Sequence, residues 1–339
     1  MSRGAYAFAP IGPVLSPEEH AFFREADPWG FILFQRNCET PDQLRRLTRD
    51  LREAVGWRAP ILIDQEGGRV QRMRAPHWRE FLPPLDQVEL FDDAEQAGRA
   101  MFLRGALIGA ELLEHGIDVN CAPSCDIAYP DTHPFLRNRC YGADVVTVSS
   151  MARACAEGHH AAGCLTVIKH APGHGRAVVD SHKNLPTIDV PLAELRQTDF
   201  APFRELADTG MAMTAHIVVP EIDADRPVTQ SDEGIRFLRE ELGLFGLLMS
   251  DDISMNALEG DVALRASRAV AAGCDLVLHC NGKIDEMERI SGTVGTMDVA
   301  AAKRADIALT RRGTTRDIDI PALEAEFDTL IRDAANARR

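Results

Sequence analysis

The segment KHAPGHGRAVVDSH, residues 169–182, gathers three histidines, a lysine, an arginine and an aspartate within fourteen positions. Histidine titrates near neutral pH, so it can donate or accept a proton without heavy tuning. A nearby aspartate, as Asp180 is to His182, can fix the histidine tautomer and stabilise its charged form. The residue types alone are compatible with metal binding, proton transfer or an ordinary polar loop.

Four other polar segments stand directly after short apolar runs. They are DQEGGRVQRMR after PILI, SCDIAYPDTHPFLRNRCYG after VNCAP, AHIVVP after MAMT and SDDISM after GLLM. Taken singly, these residues have plain structural explanations: Asp64 and Glu66 could cap a turn, and Asp251 and Asp252 could cap a following helix. Their shared place after apolar runs favours a common functional location.

Eight apolar runs of strand length recur along the chain. They begin at Ala5, Gly30, Pro60, Asp118, Leu165, Met211, Gly246 and Cys274. Most do not alternate with polar residues, which is typical of strands buried on both faces of a parallel sheet. Helical spacing of apolar residues lies between them, over residues 95–115, 145–162, 192–209, 232–242 and 261–272. Glycines at 116, 163, 210, 243 and 273 are predicted to close these helices.

This alternation predicts an α/β fold, a (β/α)₈ TIM-type barrel formed as a single domain by residues 1–339, with a helical tail from about residue 313. A doubly wound open sheet is less favoured, because the first junction, APIGPVLSPEE, lacks a glycine-rich phosphate turn. In a barrel, loops that follow the strands converge on one rim, where barrel enzymes keep their active sites. The polar segments are therefore expected to meet there.

Composition narrows the possible partners. The net charge is −15, from 37 basic and 52 acidic residues, which argues against non-specific binding to nucleic acid or anionic membrane. No apolar run reaches membrane-spanning length, and the first twenty residues lack the pattern of a secretory signal. The eight cysteines show no CxxC spacing and are expected to be reduced thiols. A cytoplasmic protein is predicted.

Two hydrolytic mechanisms deserve comparison. Metal-dependent barrel hydrolases usually place a His-x-His pair at the first strand, and AYAFAPIG contains no histidine, so we expect neither a metal nor another cofactor. A retaining glycosidase needs one carboxylate as nucleophile and a proton donor on the other side of the scissile bond. Asp251 suits the first role, and the Asp180–His182 pair suits the second.

The segments DQEGGRVQR, KHAPGHGRAVVDSH, MTAHIVVP and GLLMSDDISM together resemble the bacterial β-N-acetylhexosaminidases of glycoside hydrolase family three. GFILFQRNCET looks like the second-strand segment of the same family, and the resemblance runs from about residue 30 to residue 281. It implies Asp251 as the nucleophile, His182 as the general acid/base and Asp180 as the residue that orients His182. The residues that it implies for sugar binding are Asp64, Arg72, Arg139, Lys169 and His170.

Single-domain members of this family include a peptidoglycan-recycling type, so the resemblance implies an exo-β-N-acetylglucosaminidase acting on small peptidoglycan fragments through a covalent glycosyl-aspartate. His174 is expected to be structural, and His216 to lie near the pocket without an assigned role. Three alternatives stay open. They are a β-N-acetylglucosaminide phosphorylase, because a histidine acid/base does not repel an incoming phosphate, another family-three β-glycosidase, and a sugar-binding barrel without catalysis.

Overall fold

The computed structural model describes residues 2–178, 184–313 and 318–338. Asp180 and His182, the pair predicted to transfer the proton, lie outside the described residues. Within these ranges no helix is long and apolar enough to cross a membrane.

In the described part of the chain, nine strands form one sheet in which every pair is parallel, and two more form a small antiparallel hairpin. The strands are β1 (Gly4–Phe8), β2 (Pro28–Leu33), β3 (Ile61–Ile63), β4 (Gln65–Gly67), β5 (Val70–Gln71), β6 (Val119–Asn120), β7 (Leu165–Thr166), β8 (Ile168–Ala171), β9 (Met211–Thr214), β10 (Leu247–Asp252) and β11 (Leu276–His279). The order in the large sheet is β7-β6-β3-β2-β1-β11-β10-β9-β8, and the hairpin is β4–β5.

The sheet closes on itself through residues 165–171. Strand β7 pairs with β6 at one edge, and β8, which follows it after Val167 alone, pairs with β9 at the other edge. Two consecutive parts of one extended segment therefore occupy both ends of the strand order. Each of the eight predicted apolar runs supplies one position of the ring, so the predicted (β/α)₈ TIM-type barrel is confirmed.

Helices follow most strands and cover the barrel. They are α1 (Pro17–Ala26), α2 (Pro41–Val55), α3 (Pro84–Val88), α4 (Ala94–Glu114), α5 (Pro134–Arg137), α6 (Val145–Ala162), α7 (Leu192–Leu195), α8 (Ala201–Glu205), α9 (Asp232–Glu240), α10 (Val262–Ala272), α11 (Ile284–Val294), α12 (Val299–Ala308) and α13 (Ile320–Ala337). All five predicted capping glycines have positive φ angles, between 73° and 111°.

The helix predicted over residues 192–209 is wrong as a single element. The structure divides it into α7, α8 and a 3₁₀ turn at Ala207–Thr209. The cause is Pro202, which has no backbone N–H to continue a helix from α7 and instead stands in the first turn of α8. The apolar spacing in this region reports burial against the barrel rather than one continuous helix.

Two apolar layers hold the barrel together. The larger layer lies between the strands and the helices and includes Phe8, Phe31, Leu47, Phe203 and Leu248. The second layer fills the barrel interior. Its residues are small in the first strand, as at Ala5 and Ala7, and larger in the other strands. These larger residues include Ile32, Leu62, Val119, Val167, Met213, Met249 and Leu278. The barrel interior is therefore a packed core rather than a channel.

Helices α4 and α6 approach each other through two glycines. A Cβ atom placed on Gly158 of α6 would lie 2.0 Å from the carbonyl oxygen of Phe102 in α4. A Cβ on Gly105 of α4 would lie 2.1 Å from the carbonyl oxygen of Cys155 in α6. Both clashes are with backbone, which cannot move aside cheaply, so the two helices depend on glycine at this crossing.

We therefore expect Gly158→Ala to destabilise the fold by about 2 kcal/mol, because overpacking outweighs the higher helix propensity of alanine. Gly98→Ala is the matched control, since a Cβ at Gly98 of α4 would meet only the Met151 side chain at 3.8 Å. The control should be neutral or stabilising by up to about 1 kcal/mol. The free energy of unfolding in urea measures both changes, and equal effects of the two substitutions would contradict this account of the crossing.

Candidate active site

A cavity of about 360 Å³ opens at the carboxyl ends of the barrel strands. This volume lies within the range of small-ligand pockets. It is lined by every predicted site residue that the structure describes, namely Asp64, Arg72, Arg139, Lys169, His170 and Asp251. Side chains from segments nearly two hundred positions apart in the chain thus share one concave surface.

Asp64, the residue after β3, receives two cations. Its Oδ1 accepts a hydrogen bond from Lys169 Nζ at 2.7 Å, and its Oδ2 accepts one from Arg72 Nη2 at 2.9 Å. Burial alone would raise the pKa of Asp64, but Lys169 and Arg72 outweigh burial and hold it well below its usual range. Asp64 is therefore a carboxylate at neutral pH, and its role is to pair cations rather than to cap a turn.

Glu66 in β4 forms a second ion cluster behind the first. Arg139 grips it through two bonds, Nε to Oε2 at 2.9 Å and Nη2 to Oε1 at 2.8 Å, and Lys169 Nζ lies 2.5 Å from Oε1. Burial opposes ionisation of Glu66, yet Arg139 and Lys169 lower its pKa to about 2. Glu66 is 2% exposed, so this bidentate pair is formed away from water.

The ammonium of Lys169 is shared by both carboxylates. Burial would lower the pKa of Lys169, but Asp64 and Glu66 raise it above its usual range. The same reasoning holds for Arg139, whose pKa burial would lower and Glu66 raises. Both side chains remain cations and hydrogen-bond donors on the cavity wall, and hydrogen-bond donors of this kind suit the hydroxyl and carbonyl oxygens of a polar ligand.

The hairpin β4–β5 aligns three of these groups, and its shape is set by buried amides. Gln65 Oε1 accepts from the backbone N–H of Arg72 at 2.9 Å and of Met73 at 3.1 Å. Asn120 of β6 accepts from the Gln65 backbone N–H at 3.0 Å, which ties the hairpin to the barrel. Asp64, Glu66 and Arg72 are thereby held at one edge of the cavity.

Arg104 of α4 supports the hairpin from below. It is fully buried and donates to the carbonyl oxygens of Glu66 and Leu82 and to Oε1 of Gln87. Because a buried guanidinium is costly when it lacks partners, these acceptors define where α4 sits relative to the hairpin. A Cβ on Gly67 would lie only 2.0 Å from Arg104 Nη2, which leaves no room for a side chain there.

His170 is oriented by a buried aspartate that the sequence motifs did not single out. Asp126, after β6, accepts from His170 Nδ1 at 2.7 Å and from Ser124 Oγ at 3.0 Å. The Nδ1 atom therefore carries the proton, and the Nε2 atom faces Arg139 Nη2 at 3.4 Å. Burial opposes ionisation of Asp126, but His170 and His174 lower its pKa. His170 Nε2 thus accepts from Arg139, and the ring lines the cavity.

Asp251 and Asp252, at the end of β10, have different environments. The carboxylate of Asp252 accepts from Ser254 N–H at 3.0 Å, Ser254 Oγ at 2.6 Å and Cys280 N–H at 3.2 Å, so it holds the turn that follows. Asp251 Oδ1 accepts from the Asp252 backbone N–H at 2.8 Å, and its side chain lines the cavity. Residues 253–260 form turns rather than a helix, so the alternative of a helix-capping pair is wrong.

Two further histidines lie close by. His216 is satisfied on both sides, with Nδ1 at 2.9 Å from Thr229 Oγ1 and Nε2 at 3.1 Å from the carbonyl oxygen of Asp252. His174 lines the cavity, and neither of its ring nitrogens has a hydrogen-bond partner in the described part of the chain.

Glu66 is a site residue that the sequence motifs did not single out. The signal for Glu66 was its place beside Asp64 after the third apolar run.

Comparison with known proteins agrees with the motifs. The profile described as glycosyl hydrolase family 3 N terminal domain matches residues 18–312. A protein named beta-hexosaminidase from Methylobacillus flagellatus is 35% identical over 296 residues, covering 85% of this chain and 84% of that protein. A beta-hexosaminidase from Vibrio cholerae is 37% identical over 278 residues, covering 80% of each chain.

Solved structures give the same answer. NagZ from Neisseria gonorrhoeae, in complex with N-trifluoroacetyl-D-glucosamine, has a TM-score of 0.84 and 29% identity, covering 99% of this chain and 98% of that one. A glycoside hydrolase family 3 β-N-acetylglucosaminidase from Paenibacillus sp. has a TM-score of 0.83 and 27% identity. It covers 98% of this chain and 67% of that longer chain.

We expect Glu66→Gln to lower the free energy of unfolding at pH 7 by about 3 kcal/mol, because it leaves Arg139 and Lys169 buried without a matching charge. The pKa of Glu66 is depressed in the folded state, so its contribution is complete above its ordinary pKa of 4.5 and is lost as pH falls towards 2. The difference between wild type and variant should therefore shrink between pH 5 and pH 2, as measured by urea unfolding.

Glu241→Gln is the matched control, because Glu241 also receives a bidentate arginine, Arg196, but is about half exposed. Its loss should cost less than about 1 kcal/mol. Equal losses for the two variants, or a difference from wild type that does not change with pH, would contradict the structural role given to Glu66.

Proposed function

The chain belongs to glycosyl hydrolase family 3 and is a β-hexosaminidase, as its motifs predicted, and we propose that it removes terminal N-acetylglucosamine by a retaining mechanism. The observation that carries the proposal is that Asp251 lines the same cavity as the ion-paired groups of Asp64, Arg72, Arg139 and Lys169. We further propose that residues 1–339 form one barrel domain with a C-terminal helical tail.

Asp251 is proposed as the nucleophile. It stands at the end of a buried strand, which holds a carboxylate rigidly, and it lines the cavity. Attack by its oxygen on the anomeric carbon forms a covalent glycosyl-aspartate while the glycosidic bond to the leaving oxygen breaks. Water then attacks the same carbon from the other side, which releases the sugar and regenerates the carboxylate.

His182 is proposed as the general acid/base, with Asp180 as its orienting partner. Both residues lie outside the described residues, so their roles rest on the DSH motif and on the family. In the first step His182 donates a proton to the leaving oxygen, and in the second it accepts one from the attacking water. Neither step needs a metal or another cofactor.

The polar wall is proposed to hold the sugar. The Asp64 carboxylate can accept hydrogen bonds from two hydroxyl groups, while Arg72, Arg139 and Lys169 donate to sugar oxygens. The His170 ring, held by Asp126 and Arg139, is proposed to contact the sugar from the same wall. The binding of N-trifluoroacetyl-D-glucosamine by the similar Neisseria protein supports an N-acetylglucosamine subsite in this chain.

We propose small peptidoglycan fragments with a terminal N-acetylglucosamine as substrates, and the cytoplasm as the location. All eight cysteines, each within the described ranges, are free thiols, which suits a reducing compartment. The substrate proposal rests on family resemblance and on the size of the cavity. Neither a nucleic acid nor a membrane is proposed as a partner.

Phosphorolysis is the second candidate, because the proposed acid/base is a histidine. A neutral or cationic imidazole does not repel an incoming phosphate as a carboxylate would. Arg72, Arg139 and Lys169 on the cavity wall could contact such an anion. Hydrolysis remains the primary proposal, because it is the activity of the named relatives.

We expect Asp251→Ala to reduce turnover of 4-nitrophenyl β-N-acetylglucosaminide by about 10⁴-fold or more, because the covalent route is lost. Asp252→Asn is the control, and it should retain far more activity than Asp251→Asn. Substantial turnover by Asp251→Ala would contradict the role of Asp251 as the nucleophile.

His182→Ala should reduce turnover less with this activated leaving group than with an alkyl leaving group, where loss of the acid costs about 10² to 10⁴-fold. Equal losses of turnover across leaving groups would contradict the role of His182.

The fate of the sugar separates the two candidate reactions. Cleavage followed by proton NMR should show the β-anomer of free N-acetylglucosamine first, and added phosphate should not accelerate turnover. Accumulation of a sugar 1-phosphate, with faster turnover in phosphate, would replace hydrolysis by phosphorolysis. Absence of chromophore release with wild-type protein would instead leave a sugar-binding barrel.

A further inference from the structure

His174 is a buried polar side chain without a protein partner. It is 8% exposed, and both ring nitrogens lack a hydrogen bond among the residues that the structure describes. The great majority of buried polar groups in folded proteins are hydrogen-bonded, so an imidazole with two unsatisfied nitrogens needs an explanation. The nearby His216 gives a contrast, since both of its nitrogens are satisfied.

The backbone around His174 is held tightly in place. Its N–H donates to Asp126 Oδ1 at 2.6 Å, the same carboxylate that orients His170. A Cβ on Gly175 would lie 2.0 Å from the carbonyl oxygen of Ile127, and Gly173 has φ +137° against the backbone of Asp199. The backbone that carries the His174 ring is therefore closely packed on both sides.

The ring of His174 shares the cavity wall with the groups already described. It lies 5.9 Å from the His170 ring, measured between centroids, in an edge-to-face arrangement. Burial lowers the pKa of His174 to about 4, and the carboxylates of Asp126 and Asp251 oppose this shift without overcoming it. At neutral pH the ring is uncharged, with one nitrogen as donor and the other as acceptor.

We propose that His174 binds the substrate directly, through a hydrogen bond between its ring and a hydroxyl group of the sugar in this cavity. A hydroxyl is the fitting chemistry, because it can donate or accept and so can pair with either nitrogen of a neutral imidazole. The inference rests on the proposed function, which supplies the sugar, and it replaces the expectation that His174 is structural.

The test combines a substitution in the protein with removal of single hydroxyl groups from the substrate. Wild type and His174→Phe are assayed with 4-nitrophenyl β-N-acetylglucosaminide and with its 3-deoxy, 4-deoxy and 6-deoxy analogues. For three substrates the variant should lose kcat/KM on the order of tenfold, because a buried polar partner is left unpaired. For the one analogue that lacks the partner hydroxyl, the variant should show no further loss.

His216→Phe is the matched control, because His216 is a buried histidine that does not line the cavity. Any loss that it causes should be the same for all four substrates. If His174→Phe fails to fold, as judged by its unfolding transition, His174→Asn takes its place in the cycle. A uniform loss, or no loss, across the four substrates would overturn the inference. Failure of wild type to cleave the parent glycoside would instead overturn the proposed function.

Discussion

The rim of the barrel depends on one buried ammonium group. The Lys169 side chain is 2% exposed, and burying a charge without partners costs several kcal/mol. Asp64 and Glu66 meet this requirement from two sides, one just after β3 and the other within the hairpin. Lys169 therefore couples the geometry of β8 to that of the third strand position, and the Arg72 and Arg139 contacts extend the coupling around the cavity.

This coupling makes the candidate site rigid before a ligand arrives. Each of Asp64 and Glu66 already pairs with two cations, and each of those cations pairs with at least one carboxylate. Arg104 and Gln65 fix the hairpin from the protein side, and Asp126 fixes His170. Groups that are preorganised in this way can orient a sugar ring without paying for rearrangement during binding. His174 is the exception, because its ring nitrogens have no hydrogen-bond partner among the described residues.

The barrel was predictable from the sequence because eight apolar runs of strand length recur along the chain, and each run forms one strand position. The strand pattern predicted that the polar segments meet at one rim, and the resemblance to the family supplied the five predicted sugar-binding residues that line the cavity with Asp251. The sequence could not predict which acids are paired. Asp126, Glu66 and Arg104 matter through partners that are 44, 73 and 38 positions away, and no local spacing reports such contacts. The break in the helix at Pro202 was readable, but apolar periodicity obscured it.

Residues 165–171 both close the barrel and carry Lys169 and His170. This one short stretch of chain therefore contributes both to closure of the barrel and to the wall of the cavity. A substitution there that changes the cavity wall is therefore also expected to change the stability of the barrel.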